Sequence, residues 1–87
     1  MRNIKMNKLK TSNLVGMKLK ELRVLQGLKI NDIAKRINKS DQQLFRYEKG
    51  INKIDIDTLF LYLEELKVDI PEFFLTLIFE MNKENCQ

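Results

Sequence analysis

Apolar residues recur along this chain at helical spacings, in segments separated by short polar connections. The first stripe begins after Ser12 and ends at Gly27, and its members are Leu14, Val15, Met17, Leu22 and Leu25. A narrower stripe follows and ends at Asn38, a residue type that tolerates the left-handed conformation found at helix ends. Its members are Ile30, Ile33, Ala34 and Ile37. These two patterns predict two amphipathic helices.

Three further helices have recognisable starts. Ser40 with Gln43 forms the spacing of a capping box, and Gly50 closes that segment. Asp55 caps the next helix, whose predicted buried stripe is Ile56, Leu59, Phe60, Leu63 and Leu66. The last helix opens near Asp69, with Pro71 in its first turn, where a missing amide costs little. The absence of any alternating strand pattern completes the prediction of an all-α, five-helix fold.

Charge is distributed unevenly over the 87 residues, which are enough for one domain. Residues 1–53 carry 14 basic and 4 acidic side chains, whereas residues 54–87 carry 2 basic and 8 acidic ones. This asymmetry indicates an anionic partner for the first half, unless the basic face is merely solvated. A membrane-surface helix is a poor alternative because the apolar residues of the basic half are needed for the core.

The sequence divides into a short arm and a helical domain. Residues 1–11, which we call the basic arm, contain four basic side chains, no acid and no apolar stripe. They predict a flexible segment, with a functionless chain end as the alternative. Residues 12–87 form the predicted domain. The single Cys86 and the lack of a secretory signal predict a cytoplasmic location, and residues 73–79 are too short an apolar run to span a membrane.

Catalytic and metal-binding patterns are missing. The chain has no histidine and one cysteine, so the commonest general base and a Cys/His zinc site are excluded. Glycines at positions 16, 27 and 50 do not form a phosphate-binding or dinucleotide-binding loop. We therefore predict a protein that is not an enzyme and needs no cofactor, metal or small-molecule ligand.

The helix–turn–helix from residue 31 to residue 49 carries the most informative side chains. With Leu44 in the core, a step of 100° per residue directs Gln42, Arg46 and Lys49 outward, with Gln43 and Phe45 at the sides. A helix fits the major groove of DNA, where Gln reads adenine, Arg reads guanine and an apolar group meets the thymine methyl. Phe45 remains open between that methyl contact and packing along an Arg or Lys stem.

From about Gly16 to Phe74 the chain resembles the Cro/CI-type (XRE) helix-turn-helix family. The resemblance rests on DIAKRI with its packing Ala34, on SDQQLFRYEKG, and on TLFLYLEELKV. The RYEKG ending followed by IDIDTL also resembles the MrpJ-type regulators of fimbrial operons. Two departures are Lys29 and Ile30, which stand where the family has Ser or Thr followed by Gln.

The resemblance implies roles for individual residues. The expected base-reading set is Asp41, Gln42, Gln43, Phe45 and Arg46. The expected phosphate-contacting set is Lys29, Asn31, Lys49, Asn52 and Lys53. The implied function is a sequence-specific transcriptional regulator that places the recognition helix (about 41–49) in the major groove of double-stranded DNA. Control of fimbrial and motility genes is the narrower implication.

The C-terminal helix is too apolar for a freely exposed chain end on so small a domain. Phe74, Ile78 and Met81 lie on one face and predict a dimer interface, unless the whole helix completes the core. A homodimer with recognition helices about 34 Å apart would read a palindromic operator. The alternative function is an antitoxin-type module that neutralises a partner protein and regulates its own operon.

Overall fold

A computed structural model describes the backbone of residues 2–85 and the side chains of residues 11–83. It contains five helices, which are α1 (Arg2–Leu25), α2 (Ile30–Arg36), α3 (Asp41–Glu48), α4 (Ile56–Leu66) and α5 (Ile70–Asn85). No strand occurs between residues 2 and 85. The predicted all-α, five-helix fold is therefore confirmed.

Side-chain caps begin three of the helices at the predicted residues. Ser40 Oγ accepts a hydrogen bond from the Gln43 amide at 3.0 Å, and Asp69 accepts one from the Glu72 amide at 2.9 Å. Asp55 accepts from both the hydroxyl and the amide of Thr58, at 2.7 and 3.0 Å. These two hydrogen bonds lower the pKa of Asp55 because they stabilise its charged form.

Left-handed residues end the helices. Gly27, Asn38 and Gly50 have φ values of 73°, 60° and 75°, as their residue types predict. Lys67 ends α4 with a φ of 57°, a conformation that the sequence gives no reason to expect for lysine.

Helix α1 begins at Arg2, ten residues before the start that the apolar pattern predicts. The extra segment lacks an apolar stripe, but it contains no proline or glycine, and six of the ten residues from 2 to 11 are lysine, arginine, leucine or methionine. These residue types have high helix propensity, so the backbone continues the helix without a buried face. The side chains of residues 1–10 lie outside the described part, and the basic arm stays a prediction.

The core lies between α1, α3, α4 and α5, and α2 packs on it through α3 and α4. Every helix contributes buried apolar residues, among them Leu19, Ile33, Leu44, Tyr62, Leu63, Leu66, Phe73 and Leu77. Some predicted stripe residues are exposed instead, and they are Met17, Leu25, Ile56 and Phe60. The buried faces of α1 and α4 instead include Leu19 and Tyr62, which the predicted stripes leave out.

Arg23, Glu48 and Tyr62 form a buried polar cluster that joins α1, α3 and α4. Arg23 Nε and Nη2 donate to the two carboxylate oxygens of Glu48 at 2.8 and 3.0 Å, and Arg23 Nη1 donates to the Leu28 carbonyl at 2.8 Å. The hydroxyl of Tyr62 donates to Glu48 Oε2. The side chains of Arg23 and Glu48 are only 9% and 3% exposed. All charged atoms of the pair are therefore satisfied inside the protein.

Gly16 allows α1 to pack directly against the backbone of α3. A Cβ atom at this position would overlap the carbonyl oxygens of Tyr47 and Glu48. The close approach brings Glu48, at the end of α3, within reach of Arg23 on α1.

We predict that separating the buried ion pair destabilises the domain strongly. Arg23→Met leaves the Glu48 carboxylate buried without its cation, which costs about 3–5 kcal/mol of unfolding free energy. Arg23→Met combined with Glu48→Leu removes both charges, so its cost should be smaller than the sum of the two single costs. Urea unfolding followed by circular dichroism measures the three values. Additive costs would contradict the coupling.

We predict that the buried Tyr62 hydroxyl makes the stability of the fold depend on pH in alkaline solution. Burial and the hydrogen bond to the Glu48 carboxylate raise the pKa of Tyr62 above its ordinary value of about 10. The resulting stabilisation is complete below about pH 10 and is lost as the pH rises further, because the unfolded chain then loses its phenol proton first. Absorbance at 295 nm should show Tyr62 ionising only together with loss of helical circular dichroism. Tyr62→Phe should remove that phase, and early ionisation of Tyr62 in the folded protein would contradict the assignment.

Candidate nucleic-acid interface

Helices α2 and α3 form a compact pair joined by a short turn. Asn38 provides the left-handed residue of the turn, and the Lys39 amide donates to the Ala34 carbonyl at 2.9 Å. Ala34 is buried, and its small side chain lets the two helices approach. The turn and its packing alanine therefore fix where α3 begins relative to α2.

Helix α3 has one buried face and one outward face. Leu44, Tyr47 and Glu48 are buried, and they attach the helix to the core. Of the predicted base-reading residues, Asp41, Gln42, Phe45 and Arg46 are exposed. Within the described part of the chain, the side chains of Gln42 and Arg46 make no hydrogen bond or ion pair, so both have their polar groups available to a ligand.

Gln43 occupies an intermediate position between these two faces. It is half-buried, and its Nε2 donates to the Tyr47 hydroxyl at 3.2 Å. The predicted capping box is thus formed by Ser40 in one direction, while the Gln43 side chain is directed along α3. A role in base reading would require Gln43 to exchange this internal hydrogen bond for one to a base.

Phe45 contacts Lys49, one turn later on α3. The Lys49 ammonium lies 5.5 Å from the centroid of the Phe45 ring, within the range of a cation–π interaction. The ring is still 46% exposed. The cation over the Phe45 ring therefore belongs to Lys49 rather than Arg46, and the exposed part of the ring remains available for a methyl contact.

Asn31 links the start of α2 to the start of α3. Its side-chain amide donates to the Asp41 carboxylate, with distances of 3.2 and 3.5 Å to the two oxygens. Nearby, the Asp32 carboxylate accepts from the Lys29 amide at 2.8 Å, which is the returning half of a capping box. The Lys29 side chain makes no capping hydrogen bond, and the Asp32 amide donates to the Lys29 carbonyl at 3.0 Å instead. Asn31 thus orients an acidic side chain at the first turn of the outward helix.

The predicted phosphate-contacting residues flank α3 at both ends of the helix pair. Lys29 and Asn31 lie at the start of α2, and Lys49, Asn52 and Lys53 lie at the end of α3 and in the loop that follows; all five are exposed. Residues 29–53 carry seven basic and three acidic side chains, and Glu48 is one of the acids. Because Glu48 is paired internally with Arg23, the outward surface is more positive than the sequence count suggests.

The predicted dimer residues on α5 lie in different environments. Phe74 and Met81 pack against the core, and the Phe74 ring lies 5.4 Å from Phe73 and 6.0 Å from Phe60. Ile78 is 51% exposed. The outward apolar stripe of α5 consists of Leu75, Ile78 and Phe79, so two of its three members were missed from the sequence. Their spacing of three and four residues carries the signal, but so does that of the buried face.

The described residues contain neither a metal-binding cluster nor a helix able to span a membrane. Among residues with described side chains, no group of three or more His, Cys, Asp or Glu residues is arranged to hold a metal ion. None of the helices in the described backbone is both long and apolar enough to cross a membrane.

The sequence of this chain matches the profile of a known protein family. The helix-turn-helix family profile aligns with residues 19–73, which include α2, α3, α4 and parts of both flanking helices. The chain therefore belongs to the helix-turn-helix family, in its XRE type, and the family prediction is confirmed. The same match supports the prediction that the chain is not an enzyme.

Two known proteins are similar in sequence to this chain over 65 residues. One is described as an HTH-type transcriptional regulator of Rickettsia prowazekii (strain Madrid E), 38% identical over 65 residues, which are 75% of this chain and 50% of the relative. The other has the same description, comes from Rickettsia conorii (strain ATCC VR-613 / Malish 7), and is 38% identical over 65 residues, 75% of this chain and 52% of the relative. The chain thus spans about half the length of these relatives. No solved structure matches significantly.

Proposed function

We propose that this chain is a sequence-specific, DNA-binding transcriptional regulator that inserts α3 into the major groove. The observation that carries the proposal is the division of α3 into two faces. Its buried face is held by the core and the Arg23–Glu48 pair, while Gln42 and Arg46 project from the opposite side. Asp41 and Phe45 are exposed between the two faces. A helix with donors, an acceptor and an aromatic ring on its outward face matches the chemistry of base edges.

The flanking basic residues support the same docking. Lys29 at the start of α2, and Lys49 and Lys53 after α3, border the outward face and carry charges suited to phosphate. Phosphate contacts of this kind fix the register of the helix, and base contacts then provide the sequence preference. Lys49 would leave the Phe45 ring when it reaches a phosphate, which would free the ring for a thymine methyl.

The proposal includes a homodimer. Leu75, Ile78 and Phe79 form an exposed apolar stripe on α5, a helix remote in sequence from the outward face of α3. Self-pairing of this stripe would bury it from water and give two recognition helices related by a two-fold axis. A palindromic operator with half-sites one helical turn apart would match that symmetry.

Retention of genomic DNA tests sequence specificity and the regulated genes together. Purified protein is mixed with fragmented DNA of its own genome at physiological salt, and the retained fragments are sequenced. We expect a shared, near-palindromic motif upstream of a few genes, and fimbrial or motility genes among them if the MrpJ-type resemblance extends to function. Retention without a common motif would contradict a specific regulator.

We predict different effects for base-reading and phosphate-contacting residues. Arg46→Ala should weaken binding to the operator by about 1–3 kcal/mol and weaken binding to random DNA much less. Lys53→Ala should weaken both and lower the slope of log K against log salt by about one. Fluorescence anisotropy at several salt concentrations measures both effects.

Lys67→Asn provides the control, because it removes a basic charge outside residues 29–53 and Asn tolerates the left-handed conformation. Its affinities should equal those of the wild type. Equal losses on operator and random DNA for Arg46→Ala would rule out base reading by that residue.

We predict that Ile78→Asp separates the dimer. Ile78 would be buried twice at a two-fold interface, so its loss should weaken self-association about a hundredfold. Sedimentation of DNA-free protein measures this change. Ile56→Asp is the matched control, because Ile56 is also exposed but lies on α4. Equal self-association of both variants would place the dimer interface elsewhere.

A further inference from the structure

An acid-rimmed groove runs between α1 and the start of α5. Its volume is about 350 Å³, and its apolar floor is formed by Leu22, Val68 and Phe73. Glu21, Asp69 and Glu72 also line the groove and are exposed, so these acidic residues form its rim. None of the lining residues falls within residues 29–53, so the proposed DNA contacts do not use the groove.

Internal interactions account for only part of this acidic character. Asp69 caps α5, and both Asp69 and Glu72 lie near the positive end of that helix. Lys18 is the cation of the lining, but its ammonium lies 2.9 Å from Glu80 and 3.9 Å from Glu21. Lys18 is thus mainly engaged by a carboxylate outside the groove lining. The groove retains a negative rim over an apolar floor, which suits a partner that is basic and partly apolar.

Helices α1 and α5 run in opposite directions. Lys18 pairs with Glu80, whereas Leu22, one turn further along α1, lines the groove together with Phe73. The N-terminal part of α1 therefore leaves the domain at the C-terminal end of α5. In a dimer formed by self-pairing of the α5 stripe, antiparallel helices would bring that end next to the N-terminal end of the partner's α5, where the groove of the second copy lies.

The basic arm has the composition that this groove requires. It carries Arg2, Lys5, Lys8 and Lys10, with no acid, and it contains the apolar residues Ile4, Met6 and Leu9. Thr11, Ser12 and Asn13, which have lower helix propensity, connect it to the part of α1 that packs on the core. The segment therefore combines opposite charge, apolar side chains and a connection at which α1 can bend.

We propose that the basic arm of one copy docks in the acid-rimmed groove of a second copy, so that the two arms are exchanged across the dimer. This inference rests on the proposed homodimer and adds a reciprocal contact to it. The arm then stabilises the dimer without DNA, and the acidic half of one copy is covered by the basic segment of the other.

A charge-swap experiment tests the exchange. The arm variant Lys5→Glu/Lys8→Glu/Lys10→Glu places acids opposite the acidic groove, and the groove variant Glu21→Lys/Glu72→Lys places lysines opposite the basic arm. Asp69 is left unchanged because it caps α5. The control variant Asp57→Lys/Glu64→Lys makes the same charge change on exposed positions of α4. Sedimentation of the DNA-free 87-residue chain at low salt measures self-association, and circular dichroism verifies folding.

Each variant alone should self-associate about tenfold more weakly than the wild type, because its arms and grooves repel each other. An equimolar mixture of the two variants should recover wild-type association, because every arm in the mixed dimer meets a groove of opposite charge. The control variant should associate as the wild type does. Wild-type association of the single variants would overturn the proposal.

The experiment also distinguishes exchange between copies from an arm that docks on its own chain and from an arm that binds DNA. If the arm occupied the groove of its own chain, the mixture would remain as weak as the separate variants. An arm that binds DNA phosphate would leave association unchanged in DNA-free solution, while the arm variant would lose DNA affinity. Either result would overturn exchange between copies.

Absence of the homodimer can be distinguished from absence of the arm exchange. A wild-type chain that is monomeric at about 100 μM, well above the dissociation constant of a specific complex, would overturn both proposals. Dimerisation that depends on Ile78 but not on the swapped charges would overturn only the arm exchange.

Discussion

The buried interaction among Arg23, Glu48 and Tyr62 constrains the rest of the structure. It joins α1, α3 and α4 through a bidentate ion pair and a tyrosine hydroxyl, all shielded from water. Isolated helices as short as α3 are not stable in water, so its position depends on tertiary contacts. Leu44 and Tyr47 contribute apolar packing, but among the side chains that the structure describes only Glu48 connects the helix by directional bonds to two others. These directional bonds specify how α3 is oriented on the core.

The sequence predicts much of the fold because its helix ends are marked by specific chemistry. Ser40, Asp55 and Asp69 are caps, and Gly27, Asn38 and Gly50 are stops, so these boundaries could be predicted from local hydrogen-bonding and steric rules. The start of α1 could not be predicted in this way, because residues 2–11 have helix propensity but no apolar stripe to mark them as a helix.

Long-range contacts explain what the sequence left open at the site. Exposure of Arg46 and Gln42 follows from the helical period once Leu44 is placed inside. By contrast, the pairing of Arg23 with Glu48 joins residues 25 positions apart, and neither residue type indicates burial. On α5, two adjacent apolar faces exist, and only packing against α1 and α4 determines that Phe74 turns inward and Phe79 outward.

Because α3 has separate buried and outward faces, its DNA-facing residues can change in evolution without disturbing the residues that hold the helix. Residues that hold the helix, such as Leu44 and Glu48, are buried, whereas the side chains of Gln42 and Arg46 are exposed. Substitutions on the outward face change few native contacts, so they cost little folding free energy. After gene duplication, a copy can therefore acquire a new target sequence through single replacements, each of which leaves a folded intermediate.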